Sequence, residues 1–201
     1  MTKPQQEDHS IPVKEQILNA AMVRFGQYGY NKTTMVEIAQ DTDMSAANLY
    51  RYFKNKQQIA AACCERFTNE RIDLLRTAIR QPRLNAEERL KTYIKTSLTH
   101  CFEMFSKENR IGELVVHIAS DHPELVHRKI ELQQSLLAEI LAFGNQSGEF
   151  EIDDVITAAE GLHAAMVVFE VPMFMTLFSY EVFERRANSV AELLLNGLLK
   201  R

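Results

Sequence analysis

The chain has 201 residues, of which 46% are hydrophobic and 25% charged, and it carries a formal net charge of -4 at pH 7. This composition can form a folded core, and it excludes disordered, collagen-like and low-complexity proteins. An acidic whole chain also argues weakly against binding to nucleic acid.

Helical periodicity recurs along the chain, whereas the Asn-Gly and Asp-Gly signals of β-hairpins do not occur. In the first segment apolar residues recur every four positions and a glycine follows, at Val13, Ile17, Ala21, Phe25 and Gly29. We therefore predict an all-α protein of about nine helices. They are expected at residues 13–28, 34–41, 45–51, 55–80, 85–107, 110–120, 122–144, 153–171 and 179–199.

Several predicted helices begin with the sequence signature of a capping box. In this motif a side chain at the N-cap and an acidic residue three positions later each accept a hydrogen bond from the other's backbone amide. The spacing occurs at Thr34 with Glu37, at Asn85 with Glu88, and at Asp121 with Glu124.

Two very short helices, 34–41 and 45–51, stand between longer ones. Asp43 lies in the turn that separates them, where a residue tolerating left-handed geometry is needed, and Ser45 is a suitable N-cap for the second helix. A local helical hairpin without a ligand explains the spacing equally well. However, tyrosines and cations follow, at Tyr50, Arg51, Tyr52, Lys54 and Lys56, and these favour a DNA-binding helix-turn-helix.

Residues 17–59 closely resemble the DNA-binding domain of the TetR family of bacterial transcriptional regulators. The resemblance is carried by AAMVRFGQYGY, TTMVEIAQ and MSAANLYRYFKNK, with Asp43 where the family commonly has glycine. It implies a helix-turn-helix domain at residues 1–56, followed by an effector-binding and dimerisation domain at residues 57–201.

The resemblance also implies roles for individual residues. Asn48 is the best candidate for reading a base edge, since asparagine pairs with adenine, and Arg51 could reach either a base or a phosphate. The DNA-binding residues implied are Thr34, Ser45, Ala46, Ala47, Asn48, Tyr50, Arg51, Tyr52 and Lys56. Among these, Thr34, Tyr50, Tyr52 and Lys56 would contact phosphates.

The second domain is expected to pair two subunits through helices 153–171 and 179–199. Such a homodimer would place two recognition helices on a palindromic double-stranded operator. A small apolar or aromatic effector would bind among helices 85–171 and release the protein from the operator. The protein is thus expected to be a repressor that is not an enzyme and has no cofactor. Candidate pocket residues are His100, Met104, Phe105, His117, His163, Met166, Phe169 and Met173, although methionine and phenylalanine at helical spacing are more often core residues.

Two other functions remain open at this stage. Glu124 with His127 and Glu160 with His163 form Glu-x-x-His pairs, which are half of the di-iron signature of helical-bundle oxidoreductases. The two further inward glutamates of that signature could be nominated only by position, at Glu103 and Glu139. Alternatively, the fold could serve as a helical sensor that does not bind DNA.

The acidic net charge does not argue against DNA binding once its location along the chain is considered. Residues 1–60 have a net charge of +1 and residues 61–201 a net charge of -5, so the acidity lies outside the predicted DNA-binding part.

The most apolar stretch, 162–180, contains His163 and Glu170, which argues against a membrane span. The polar N-terminus and three cysteines without metal spacing favour a cytoplasmic protein with no bound metal.

Overall fold

A computed structural model describes residues 11–105, 110–171 and 174–198. Within these residues nine α-helices follow one another, and the all-α prediction is confirmed. Their bounds are α1 Val13–Tyr28, α2 Met35–Asp41, α3 Ala46–Tyr52, α4 Lys56–Ile79, α5 Ala86–Phe105, α6 Ile111–Asp121, α7 Pro123–Ser147, α8 Val155–Met166 and α9 Tyr180–Leu198. A 3₁₀ turn at Val167–Phe169 follows α8.

The first three helices pack around one apolar cluster, which α4 and α6 complete. Its buried members include Ile17, Leu18, Ala21, Phe25, Ile38, Ala39, Leu49, Phe53, Ile59, Ala60, Cys63, Leu114 and Ile118. The four-residue repeat predicted for α1 is therefore buried as a stripe. Because α4 and α6 contribute, this cluster crosses the predicted boundary at residue 56, and the division into two domains stays a prediction.

Helices α4 to α9 enclose a second and larger cluster. α5 contacts α4, α7 and α9, and α7 packs along α8. The stripe along α5 is buried over its whole length, at Leu90, Ile94, Leu98, Cys101 and Phe105. This cluster includes the later part of α4 and one face of α6, while the start of α4 and other residues of α6 pack against the N-terminal helices.

Of the three predicted capping boxes, two are confirmed. Gly29 ends α1 with a φ of 87°, and Thr34 forms the predicted capping box of α2. Asn85 also forms the predicted reciprocal pair of hydrogen bonds with Glu88, at 2.8 and 3.0 Å. The prediction at Asp121 is wrong, because this residue is still the last residue of α6 and Pro123 starts α7.

Two helix ends differ from the prediction. α7 continues past residue 144 to Ser147, where Gly148 adopts the left-handed φ of 77° that ends the helix. α8 stops at Met166 instead of residue 171, and the chain tightens into the 3₁₀ turn. The adjacent β-branched residues Val167 and Val168 disfavour a helix, and the following Pro172 restricts the residue before it.

In the described ranges no helix is both long and apolar enough to cross a membrane. The cysteines serve as small packing groups. Cys63 and Cys101 are buried, and burial raises the pKa of both thiols, to about 12 and about 11. A thiol with a raised pKa stays protonated and is a poor nucleophile near pH 7.

Candidate DNA-binding surface and internal cavity

The turn between α2 and α3 sets the angle at which α3 projects. Asp43 lies in this turn with a φ of 54°, a left-handed conformation that aspartate tolerates better than most residues. The amide of Met44 donates to the carbonyl of Ala39 at 2.9 Å and closes the turn. Ser45 then starts α3 by accepting a hydrogen bond from the amide of Asn48 at 3.2 Å. The local roles predicted for Asp43 and Ser45 are confirmed.

α3 turns one face to the core and the opposite face to solvent. Leu49 is fully buried, whereas Tyr50 is 51% and Tyr52 36% exposed. Arg51 and Lys54 are exposed as well, and α3 contains no acidic residue. The outer face therefore combines tyrosine hydroxyls and cations, which suit phosphate oxygens and base edges.

The other predicted DNA contacts surround this face. Ala47 is exposed, and Ala46 and Asn48 are half-buried near the N-terminus of α3. Thr34 is exposed at the start of α2. Lys32, in the preceding loop, is also exposed although it was not among the predicted contacts. Its only sequence signal is a position two residues before an N-cap.

Lys56 differs from the other cations because its ammonium group is already bound. It donates to the carbonyl oxygens of Tyr30 at 2.7 Å and Thr33 at 2.8 Å, and it lies 3.4 Å from that of Asn31. It also lies 4.3 Å from the centroid of the Tyr30 ring. Lys56 thus fastens the α1–α2 loop to α4, and a phosphate would have to compete with these carbonyl groups.

A second ionic contact fixes α2 against α1. Arg24 donates two hydrogen bonds to the carboxylate of Asp41, at 2.6 and 2.7 Å, and lies 3.3 Å from Glu37. The hydrogen bonds from Arg24 hold the pKa of Asp41 below its usual value. The single positive charge of Arg24 thereby offsets part of the negative charge that the two acids of α2 bring near the DNA-binding face.

A cavity of about 280 Å³ lies among α4, α5, α6 and α7. Its wall is mostly apolar and is formed by Cys64, Phe67, Phe105, Val115, Ile118, Ala119, Leu125, Val126 and Val171. Arg71, Lys129, Glu170 and Thr68 supply its polar groups. A mostly apolar cavity with a few converging polar groups is typical of a small-molecule site, and this volume lies near the lower end of the usual range.

The charged groups of the cavity belong to a buried polar network. Arg71 is 1% and Glu170 3% exposed, and their side chains lie 3.3 Å apart. Ser97 accepts from Arg71 at 2.6 Å and donates to Glu170 at 2.7 Å, while Gln133 donates to the other Glu170 oxygen at 2.6 Å. Burial acts to raise the pKa of Glu170, but the charges of Arg71 and Lys129 outweigh it and hold the pKa below its usual value.

Comparison with family models decides the classification. Residues 17–63 match the model described as bacterial regulatory proteins, tetR family. Residues 86–191, more than half of the chain, match that of the tetracyclin repressor-like C-terminal domain. The chain belongs to the TetR family. It is a TetR-family DNA-binding transcriptional regulator, and such regulators are generally non-enzymatic, act as dimers and bind DNA operators and small-molecule effectors.

Curated relatives of this TetR-family chain are also regulators. The fatty acid metabolism regulator protein of Bacillus subtilis is 25% identical over 93% of this chain and 96% of its own length. The negative regulator IcaR of the icaADBC biofilm operon in Staphylococcus aureus is 27% identical over 67% of this chain and 71% of its own. The uncharacterized HTH-type transcriptional regulator YvkB of B. subtilis is 38% identical, but over only 32% of this chain and 34% of its own.

Solved structures of similar fold cover nearly the whole chain. A transcriptional regulator from Cytophaga hutchinsonii is 26% identical with a TM-score of 0.74, covering 92% of this chain and 98% of that one. FadR of B. subtilis, solved with stearoyl-CoA, is 21% identical with a TM-score of 0.66, covering 91% and 98%. At 21% identity, the likeness to FadR shows a shared fold and nothing more.

The predicted pocket residues are scattered in this TetR-family structure. Phe105 lines the cavity. Met104 instead lines a neighbouring cavity of about 300 Å³ and a small void of about 20 Å³, and Met166 and Phe169 are buried in the core. Met173 lies outside the described residues. Choosing pocket candidates by residue type, methionine and phenylalanine, thus selected mainly core residues, which their helical spacing had also indicated.

The three histidines predicted to line the pocket lie in three different environments. The His100 ring stacks on Phe67, a cavity residue, with the ring centroids 5.2 Å apart. The His117 ring lies 4.3 Å from that of Tyr30 and connects α6 to the N-terminal helices. His163 is buried with its Nε2 atom 3.9 Å from Glu170, so it joins the polar network, and burial lowers its pKa.

The cavity residues that matter electrostatically were not predicted. Arg71 and Lys129 lie on different helices, and nothing in their local sequence indicates that they converge. Glu170 did carry a signal, because it is an acidic residue in the most apolar stretch of the chain. A buried acid of this kind requires a buried cation or hydrogen-bond donors, and Arg71 and Ser97 fulfil that requirement.

The di-iron alternative is not supported. Glu124, His127 and Glu160 are exposed, so neither Glu-x-x-His pair projects into the bundle as a unit. Of the nominated glutamates, Glu103 is exposed and Glu139 is paired with an arginine on α4. The described residues contain no cluster of three or more histidines, cysteines and acids that could hold a metal ion.

Proposed function

We propose that this TetR-family regulator is a cytoplasmic repressor. A two-fold homodimer binds a palindromic operator, and a small molecule in the cavity releases it. The observation that carries this proposal is that α4 and α6 each contribute both to the cluster around α1–α3 and to the cavity wall. Repression is further supported by the relative named as a negative regulator, and release by a ligand is supported by the FadR neighbour solved with stearoyl-CoA.

The proposed DNA contacts lie on the exposed face of α3. Tyr50 and Tyr52 donate to phosphates, and Arg51 and Lys54 neutralise phosphate charge beside them. Asn48, at the N-terminal end of α3, reads one base pair through a bidentate contact with adenine. The segment offers few cations, so specific contacts contribute much of the affinity, and each phosphate contact adds to the salt dependence.

Selection of bound fragments from a random DNA pool would identify the operator and test its palindromic symmetry. The Asn48→Ala variant is expected to bind the selected operator about 1–3 kcal/mol more weakly and to lose preference at one position of each half-site. Asn69→Ala changes an exposed residue on α4 and is the matched control, which should keep both the operator affinity and the base preference of the wild type. An unchanged base preference in Asn48→Ala would contradict the proposed contact, and failure to enrich any sequence would contradict operator binding itself.

The proposed dimer interface is the outer face of α8 and α9. Ile156 is 63%, Val168 40% and Leu193 73% exposed in the single chain. Gly161 and Ala164 are exposed between the first two and leave room for another helix to approach closely. Apolar side chains on neighbouring helices favour pairing with a second copy, because association removes them from water.

A charged substitution tests the interface. Leu193→Asp is expected to give monomers in sedimentation velocity at micromolar concentration and to lose cooperative binding to a full palindrome. Leu74→Asp is the matched control, since Leu74 is 43% exposed on α4, outside the proposed interface. Dimers of Leu193→Asp at the wild-type affinity would exclude this interface.

The proposed release mechanism uses the two faces of α6. Leu114 packs in the cluster of the N-terminal helices, whereas Val115 and Ala119 line the cavity. Ile118 takes part in both, and Arg110, just before the helix, donates to the carbonyl of Tyr28 at 2.8 Å. A ligand that moves α4 and α6 therefore moves the N-terminal helices and changes the spacing of the two recognition helices.

Such coupling must be reciprocal. Compounds that release a fluorescent operator would first be found by anisotropy in a panel of acyl-CoA thioesters and other hydrophobic small molecules. The affinity for each active compound is then measured by calorimetry with and without saturating operator. The proposal requires weaker binding in the presence of operator, and equal affinities would contradict it.

A further inference from the structure

The cavity has a chemically distinct end. Its wall is mostly apolar, but Arg71, Lys129 and Glu170 meet at one part of it. Arg71 comes from α4, Lys129 from α7, and Glu170 follows the 3₁₀ turn after α8. Three elements thus bring two cations and one anion together, with Arg71 and Glu170 buried and Lys129 half-buried. Charges held away from water are costly unless each finds a partner.

Both oxygens of the anion in this group are bound by partners other than Lys129. One Glu170 oxygen accepts from Ser97 and lies 3.3 Å from Arg71, and the other accepts from Gln133. Lys129 makes no hydrogen bond and no ion pair within 4 Å in the described ranges. Because burial lowers the pKa of His163, that neighbour favours its neutral form.

The charges at this end therefore do not balance. Two cations face one carboxylate, which leaves one positive charge without a close partner. Burial lowers the pKa of Lys129, the nearby charge of Arg71 lowers it further, and the charge of Glu170 acts in the opposite direction. An anion entering the cavity beside Lys129 would stabilise the charged ammonium group.

Arg71 has an unused donor as well. Its Nη2 atom is bonded to Ser97, but its buried Nε atom has no hydrogen-bond partner. Buried donors without a partner are rare in folded proteins, and an unpaired one often marks a position that a ligand or water fills. A carboxylate has two acceptor oxygens, which is sufficient for the Arg71 donor and the Lys129 ammonium together.

We propose that the cavity binds a hydrophobic monocarboxylate, with its carboxylate at Arg71 and Lys129 and its apolar body against Phe67, Phe105 and Leu125. A single negative charge balances the single unpaired positive charge, whereas a phosphate monoester would bring close to two negative charges. A cavity of about 280 Å³ favours a compact molecule. The inference rests on the function proposed above, in which the occupant of this cavity is the effector.

The decisive probes are matched pairs that differ in charge alone. Straight-chain carboxylates from hexanoate to dodecanoate are compared with their primary amides by calorimetry on the full chain. At least one carboxylate is expected to bind about 10- to 100-fold more tightly than its amide, the range expected for hydrogen bonds to a charged group. Equal binding of every pair, or binding of no carboxylate, would overturn the inference.

Variants at Lys129 locate the charge. Lys129→Met should weaken the carboxylate about tenfold or more and leave the amide unchanged, and Lys129→Arg should restore the carboxylate preference. Arg128→Met is the control, since Arg128 is exposed on the same helix and paired with Glu65. Thermal melts and operator binding establish that each variant is folded. A carboxylate preference that survives in Lys129→Met would overturn the assignment.

The release assay separates the two proposals. If a carboxylate binds through Lys129 but leaves the operator bound, the ligand class stands and effector release is refuted. If only amides, acyl-CoA thioesters or alkyl phosphates bind the cavity and release the operator, the regulator mechanism stands and the monocarboxylate inference is overturned.

Discussion

Replacing Glu170 by glutamine tests whether the buried network is held together by charge. Glutamine has the same shape as glutamate and can still accept hydrogen bonds, so the packing at the cavity is retained. Among the described residues, the substitution removes the only carboxylate within 4 Å of Arg71, and it leaves the buried Arg71 close to a second cation, the half-buried Lys129. We expect the free energy of unfolding to fall sharply.

The expected magnitude follows from burial. Removing one partner of a buried ion pair costs about 3–5 kcal/mol, because the other charge remains buried without compensation. Arg71 and Glu170 are 1% and 3% exposed, so solvent screens them little. Glu139 offers a matched comparison, since it binds Arg80 by two hydrogen bonds of 2.8 Å on the surface. Breaking an exposed pair costs about 0–1 kcal/mol.

Urea unfolding at pH 7, followed by circular dichroism, gives the difference between wild type and each variant. Glu170→Gln should lose several times more free energy than Glu139→Gln. Losses of similar size for the two variants would refute the electrostatic account of the network. Adding Lys129→Met to Glu170→Gln should recover part of the loss, because it removes one of the two repelling cations.

The same account predicts the pH dependence. The pKa of Glu170 is lower in the folded chain than its ordinary value of 4.5, so its contribution is fully present above that value and is lost as the pH falls through the lowered pKa. The gap between wild type and Glu170→Gln should therefore stay constant from pH 7 to about pH 5 and shrink only under more acidic conditions. A gap that closes already between pH 7 and pH 5 would contradict the direction of the shift.

Three further predictions concern other parts of the chain. Lys56→Met should lower the unfolding free energy by about 1–3 kcal/mol, because three carbonyl groups lose a charged neighbour, whereas Lys54→Met should leave it unchanged and weaken operator binding. Gly144→Ala should cost about 1–3 kcal/mol in urea unfolding, since a Cβ atom would overlap the Phe150 ring. Thr34→Ala should lower the unfolding free energy by about 1 kcal/mol through loss of the α2 cap, and an unchanged value would refute the role of that cap.

The helix-turn-helix could be predicted because its determinants are local. Thr34 and Ser45 satisfy amides within their own first turns, and Asp43 adopts its left-handed conformation within a four-residue turn. Such contacts involve residues close together in the chain, so sequence spacing is sufficient to find them. The prediction at Asp121 was wrong because Pro123, a favoured first residue of a helix, placed the start of α7 one residue later.

The cavity could not be predicted in the same way. Its charged residues, Arg71, Lys129 and Glu170, are separated by more than forty positions in the chain and meet only when α4, α7 and the turn after α8 pack together. Residue type was also misleading, since Met166 and Phe169 fill the core whereas arginine and lysine line the cavity. Helical periodicity identifies a buried face but does not reveal whether that face meets another side chain or a void.

The role of Lys56 shows the same division. Its position beside the recognition helix indicated a phosphate contact, but the folded chain places its ammonium group on three carbonyl oxygens of a loop more than twenty residues away. The sequence alone therefore determined the helices and most of their caps, because these depend on short-range periodicity and hydrogen bonding, and its motifs carried the resemblance to the family. Only the tertiary structure decided which cations are free for DNA, which are bound within the protein and which line the cavity. Charges act through space, and their partners are fixed by packing between distant segments.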